Sequence, residues 1–316
     1  MVPIASIVSV VLYSLYGFYS FYDFYNLYIP YQKIMNKIAI GIDVGISTTK
    51  IVGIRDGEVV SPLWIKATDP VTSLYGAFGK FLHDNDIALD DVERVMLTGV
   101  GAAYINSPIY GLTTQKVEEF IADGLGAAFE SKLSRMIVVS MGTGTSLVSY
   151  QDGAIRHLGG IGIGGGTLNG LSRLLLQTDD IKQISEMAMR GDTRKINLSI
   201  GDISANPLPG LPMEATASLF ANAQGNASRE DIAKGLICMV LQTIGSASIL
   251  SSLNSGIRDF VLIGNLSRLP QCKELYPYLE RIYDVRFIIP KSSEFCTAIG
   301  AALSYVNNKR PLGGDI

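Results

Sequence analysis

"KIAIGIDVGISTTKIVGIRDGEVV", residues 37–60, decides how the rest of the chain is read. The apolar run KIAIGIDVG reads as a buried strand that breaks at a glycine turn. A second strand follows in STTKIVGIR, then a hairpin turn at Asp56-Gly57, then a third strand. The whole stretch is therefore an antiparallel meander. Residues 135–160, RMIVVSMGTGTSLVSYQDGAIRHLGG, repeat the grammar: apolar strand, Gly-Thr turn, strand, Asp-Gly turn, strand. Two meanders of one kind, each opening at a polar glycine turn, predict a duplicated α/β architecture.

Working outward, helical periodicity covers 70–86 (Val71, Leu74, Phe78, Phe81, Leu82) and 114–131 (Val117, Phe120, Ile121, Leu125, Ala128). Between them, 92–105 reads as a strand and a glycine turn. After the second meander, helices are expected at 168–177, 181–190, 212–224 and 229–253. Residues 259–270 read as strand, glycine turn and helix start, 285–290 as a strand, and 296–306 as a helix of small residues.

The 316 residues are 47% hydrophobic, enough for one large domain or two ordinary ones. A net charge of −3 gives no global basic field to hold nucleic acid. Cys238, Cys272 and Cys296 lie far apart without a C-x-x-C, so they are neither a disulfide framework nor a zinc motif, and a cytoplasmic setting is expected. His83 and His157 are the only histidines. Residues 1–34 differ from the rest: they are apolar, rich in Tyr and Phe, and uncharged before Asp23. They read as a membrane anchor, as a signal peptide lacking a basic n-region, or as a product of an upstream start ahead of Met35. A membrane partner follows only from the first reading.

Four stretches carry chemistry. In Asp43-Val44-Gly45-Ile46-Ser47-Thr48-Thr49-Lys50 a carboxylate ends a buried strand and is followed by a glycine, three hydroxyls and a lysine. Turn amides, hydroxyls and an ammonium suit phosphate oxygens, and Asp43 suits a hydrated Mg²⁺. No G-K-[ST] is present, so this is not a Walker A loop. The turn Ser140–Ser146, holding Gly142, Thr143, Gly144 and Thr145, repeats the idea. "GGIGIGGGTLNGL", 159–171, has seven glycines in thirteen positions. Its G-x-G-x-x-G match at Gly160, Gly162 and Gly165 lacks the expected βαβ context. Two readings stay open for it: a helix N-terminus with free amides for an anion, or tight backbone packing. The fourth stretch is Ile263-Gly264-Asn265, either a nucleotide turn or a plain strand-to-helix turn.

"GIDVGISTTK", "VVSMGTGTSLV", "RHLGGIGIGGGTLNGL" and "VLIGNLS", in this order, resemble the acetate and sugar kinase/Hsp70/actin superfamily. With "ISEMAMRGDTRKINLSIGDI" (184–203), the resemblance narrows to the type II pantothenate kinases and covers about 37–307. It implies a two-lobed actin-like ATPase (ribonuclease H-like) α/β fold with an ATP cleft between the lobes. One lobe would be 35–132, rejoined by the helix at 296–307, and the other 133–295. ATP and Mg²⁺ would meet Asp43, Val44, Gly45, Ile46, Ser47, Thr48, Thr49 and Lys50, then Gly142, Thr143, Gly144 and Thr145. Gly164, Gly165, Gly166, Thr167, Leu168, Gly264 and Asn265 would complete the nucleotide site, with Asp43 reaching the metal through water. The implied reaction is ATP-dependent phosphorylation of pantothenate, by a homodimer. The family's catalytic glutamate maps to Glu119, with Glu118 the second choice, since periodicity sets Glu118 nearer the apolar stripe. The family's substrate arginine falls near His157, with Arg156 one step earlier and Gly159 close by. Two other activities share such a cradle: a sugar or N-acetylhexosamine kinase, and an ATPase activator of an acyl-CoA dehydratase.

Overall fold

The computed structural model describes residues 37–67, 69–206, 209–223 and 225–309. The reading of 1–34 lies outside these residues. The first meander is β1 (Ile38–Val44), β2 (Thr48–Arg55) and β3 (Glu58–Lys66). It is followed by α1 (Pro70–Asp84), β4 (Val92–Thr98), β5 (Thr114–Lys116) and α2 (Glu119–Ser131). The second meander is β6 (Arg135–Met141), β7 (Thr145–Gln151) and β8 (Ala154–Ile161). After it come α3 (Gly165–Leu176), α4 (Ile181–Ala188), β9 (Leu198–Ser199), α5 (Ile200–Ile203) and β10 (Thr216–Ser218). The last described elements are α6 (Arg229–Ser252), β11 (Asp259–Ile263), α7 (Cys272–Tyr283), β12 (Arg286–Ile288) and α8 (Cys296–Lys309).

The duplication is explicit in the sheets. One has the order β3-β2-β1-β4-β5 and the other β12-β11-β6-β7-β8. In each, a meander supplies two antiparallel pairs, one later strand adds in parallel on its first strand, and another adds in parallel outside that one. Both hairpins turn on Asp-Gly with positive φ at both residues: 54° and 85° at Asp56 and Gly57, 48° and 91° at Asp152 and Gly153. That geometry matches the twist of paired strands. β1 is buried along its length, and β6 along all but its first residue, as central strands should be.

Helices cover both faces of each sheet. α1 sets Leu74, Ala77, Phe78 and Phe81 against Ile38, Ile40 and Ile42. On the other face α8 sets Ala298, Ile299 and Ala302 against Val52 and Ile54. α2 joins the second sheet through Ala127, Met136, Val138 and Val261. α6 is long and apolar enough to cross a membrane by length and composition. Here Leu236, Ile237, Val240, Leu241 and Ile244 fill the core beneath the second sheet. α2 and α8 cross at backbone contact: a Cβ on Gly126 would stand 1.8 Å from the Cys296 carbonyl, and one on Gly300 1.8 Å from that of Ala122.

Two expectations are corrected. Residues 114–116 form an edge strand, paired as Val95↔Thr114, Met96↔Gln115 and Leu97↔Lys116, and the helix starts only at Glu119. The open edge of β4 outweighs the local helical pattern. The helix expected at 212–224 is instead turns and the short strand β10, with Gln224 outside the described residues. Its backbone is held by Ile200 N–H donating to the Ala215 carbonyl and Gly201 N–H to that of Met213, at 2.8 and 2.7 Å. Tertiary hydrogen bonds override propensity there.

Candidate active site

The turns after β1, β6 and β11 converge on a cleft of about 780 Å³. The first turn closes on itself by Gly45 N–H donating to the Thr48 carbonyl at 3.0 Å. Gly45, Ile46, Ser47 and Thr48 face the cleft, as do Asp43 and Lys50 beneath them. Asp43 and Lys50 are register partners across β1 and β2, with Nζ 3.6 Å from Oδ2, and both are largely buried. Burial pushes the Asp43 carboxyl up, and the Lys50 charge pulls it partly back. Gly99, after β4, has φ 84°, and a Cβ there would stand 2.6 Å from Asp43 Oδ1, so this glycine is what lets the β4 turn close over the pair. Val44 and Thr49 do not reach the cleft. Strand alternation turns Val44 into the core with Ile42, and Thr49 is fully buried inside β2.

The second turn and the glycine run form one unit. Gly142, Thr143, Gly144 and Thr145 line the cleft together with Gly165 and Gly166. The first amides of α3 are not free, however. Gly165 N–H donates to the Gly142 carbonyl at 2.8 Å, and Gly166 N–H to that of Thr143 at 2.9 Å. A Cβ on Gly164 would stand 2.6 Å from Thr143 O and 2.7 Å from Gly144 O. Tight backbone packing is therefore the main reason for these glycines. Thr167 is also turned inward: its hydroxyl donates to the Gly162 carbonyl at 3.0 Å and accepts from Gly164 N–H at 3.3 Å. Leu168 belongs to the core below the sheet. At the third turn Gly264 and Asn265 line the cleft. Gly264 has φ 89°, and the space its Cβ would take is filled by Met141 O at 2.7 Å. Asn265 Nδ2 reaches across to Thr48 Oγ1 at 3.4 Å, joining the third turn to the first.

Of the two candidate bases, Glu119 faces the cleft. Glu118 is the exposed N-cap of α2. The Glu119 side chain is open to the cleft, while protein crowds its carboxyl and the Asp43 charge lies nearby; both push its pKa up, and Lys50 opposes them. The apolar stripe sets Glu118 nearer the apolar face, but the first turn of α2 meets a cleft rather than the core, and it is Glu119 that lines it. One turn on, Asp123 is fully buried and accepts a hydrogen bond from Thr297 Oγ1 at 2.7 Å. Its carboxyl is pushed up to about 7 by burial first and by the Glu119 charge second. Thr297, Ser140 and Asn169 also line the cleft. The fourfold spacing of Glu119 and Asp123, which sets them on one helix face, was the readable signal for Asp123.

The expected substrate residues Arg156, His157 and Gly159 do not line this cleft. All lie on β8, whose register on β7 slips between Leu147↔Gly159 and Val148↔His157, leaving Leu158 as the extra residue of a bulge. Ile155 touches the Cβ position of Gly124 on α2, and His157 stacks on Phe120 with centroids 5.6 Å apart. Arg156, between them, faces the other side. Of the pair, His157 lies beside the helix that carries Glu119. Among the described residues no group of three or more His, Cys, Asp and Glu side chains is placed to hold a metal ion.

Residues 123–275 match the family described as Fumble. The type II pantothenate kinase of Staphylococcus aureus (strain USA300) is 31% identical over 212 residues, which are 65% of this chain and 74% of that protein. That of S. aureus (strain bovine RF122 / ET3-1) is 30% identical over the same span. Among solved structures, the activator of the 2-hydroxyisocaproyl-CoA dehydratase from Clostridium difficile with bound ADPNP superposes with a TM-score of 0.63 at 17% identity, covering 88% of this chain and 99% of that one. ROK hexokinase from Thermus thermophilus gives 0.52 at 11% identity, over 86% and 99%. These two share the actin-like fold, seen here as the twice-repeated sheet. The sequence match covers about three quarters of that relative, and the chain belongs to the type II pantothenate kinase family.

Proposed function

We propose that this chain transfers the γ-phosphoryl group of ATP to the primary hydroxyl of pantothenate, giving 4'-phosphopantothenate, the first step toward coenzyme A. The observation that carries this reading is Glu119: it opens on the cleft shared by the three glycine turns, beside the Asp43–Lys50 pair. Phosphoryl transfer asks a protein mainly for positioning and charge neutralisation. The first turn, from Gly45 to Thr48, and the second, from Gly142 to Thr145, are the two sides of the phosphate cradle. Gly165, Gly166, Gly264 and Asn265 extend it toward the nucleoside. Glu119 takes the proton of the acceptor hydroxyl, and its raised pKa brings it nearer the working pH.

The residues fit a Mg²⁺ carried on the phosphates, because such an ion keeps several waters and needs only one or two carboxylates. Asp43, at the end of β1 and close to Lys50, would hold it through water. Bound there, it supplies further charge neutralisation. His157 lies outside the cleft and is placed nearest the acceptor only through its stack on Phe120, next to Glu119, while Arg156 points away from that helix. The reading includes two lobes, 35–132 with 296–307 and 133–295, and a cytoplasmic homodimer using 229–253. Leu250 and Leu253, at the exposed end of that region, are its contact candidates. The cysteines favour a kinase over an activator. Cys272 and Cys296 are buried in separate cores, and Cys238 is half-buried elsewhere, so they share no face that could hold a cluster between subunits.

The test is ADP release by the purified protein with ATP and Mg²⁺ against pantothenate, pantetheine and N-acetylhexosamines. ADP that depends on pantothenate is expected. Release driven by a hexosamine and not by pantothenate would overturn the proposal.

A further inference from the structure

Asp43, Lys50 and Glu119 line the cleft, and Asp123 lies buried behind it, one helical turn on from Glu119 and within range of the Glu119 and Asp43 charges. Lys50 is paired with Asp43. Asp123 has no cation of its own; it is fully buried, its Oδ1 accepts from Thr297, the Ser140 hydroxyl lies beside the carboxyl, and Oδ2 has no partner within hydrogen-bond geometry. A bare carboxylate oxygen in such a place is costly, and a proton on it removes the cost. The groups that face Asp123 are Glu119 on its own helix, Asp43 from β1 and Cys296 from α8. Lys50 acts on Asp43 and Glu119, and Glu130 on Cys296. None of these except Lys50 brings positive charge.

We propose that Asp123 is a positioning residue for the transfer: anchored to Thr297 one helical turn behind Glu119, it carries the single proton this carboxylate cluster needs, and so leaves Glu119 ionised to act as base. The inference rests on Glu119 being that base. In the step itself the acceptor O–H proton passes to Glu119, the new O–P bond forms at the γ-phosphorus, and the bridging oxygen leaves with ADP. Asp123 keeps its own proton throughout. The Thr297 bond fixes α2 on α8 where the two backbones touch, which sets where Glu119 stands.

The direct test is carbon-13 NMR of full-length protein labelled at aspartate carboxyls. One resonance is expected to titrate far above the ordinary range, near 7, and to vanish in Asp123→Asn. Asp123→Asn is also expected to lower turnover far less than Glu119→Gln does, because it mimics the protonated acid, and to lose the pH-dependent step near 7. Asp123→Ala, which lacks the Thr297 bond, is expected to lower kcat more than it changes the KM for ATP. Should Asp123→Asn misfold, Thr297→Val serves instead: losing that donor is expected to move the same resonance further up. An Asp123 resonance that titrates with ordinary carboxylates overturns the inference, as does Asp123→Asn losing turnover as fully as Glu119→Gln. The NMR result stands whether or not pantothenate is the acceptor, so the two readings fail separately.

Discussion

The turn after β1 and the turn after β6 sit at matching places in two sheets of the same strand order, yet different forces hold them. The first rests on charge: Asp43 and Lys50 lie beneath it, and Glu119 stands on the adjoining wall. The second rests on backbone: α3 binds it through Gly165 and Gly166 amides, with Gly164 pressed against its carbonyls. Among the described residues lining the second and third turns there is no charged side chain. The duplicated fold thus has one half built over buried charge and one half built on close backbone packing.

The contrast predicts effects of different kind. Lys50→Met should strike hardest, because it strands the Asp43 carboxyl in a buried site. Urea unfolding should show a loss of about 3–5 kcal/mol, and a loss under 1 kcal/mol would mean the pair does not anchor the first turn. The first half should also be the pH-sensitive one. The Asp123 carboxyl moves from 3.8 to about 7 on folding, so between these values the native state holds a proton that the unfolded chain has released. Stability should therefore fall as pH rises from about 4 to 7, by up to about 4 kcal/mol, and level off above. Thermal melts of Asp123→Asn should lack that slope. Gly164→Ala should have a smaller effect, on the second half alone. Its Cβ meets two carbonyls that cannot yield, at a cost of about 1–3 kcal/mol, and should weaken nucleotide binding while leaving the pH profile unchanged.

The sequence-level reading succeeded where local chemistry decides structure. Asp-Gly turns and apolar runs located both meanders, and the polar glycine turns located most of the cleft. It fell short where distant partners decide. Nothing within 114–116 announces the exposed edge of β4 that recruits it as a strand. The glycine run shows its density but not that its amides are already bonded to Gly142 and Thr143. The extra residue at Leu158 is invisible until β7 and β8 are paired, and it shifts the glycine run by one position relative to His157. The importance of Asp123 depends on Thr297, which arrives from 174 positions away in sequence.

The central claim is that Glu119, on the charged half, performs proton transfer while the backbone half holds the nucleotide. Glu119→Gln tests it most directly, with nucleotide affinity by calorimetry and pantothenate-dependent ADP release measured on the same preparation. The account predicts an unchanged Kd for the nucleotide and a loss of kcat of about 10²–10⁴-fold. Full turnover in that variant, or loss of nucleotide binding in step with turnover, would contradict it.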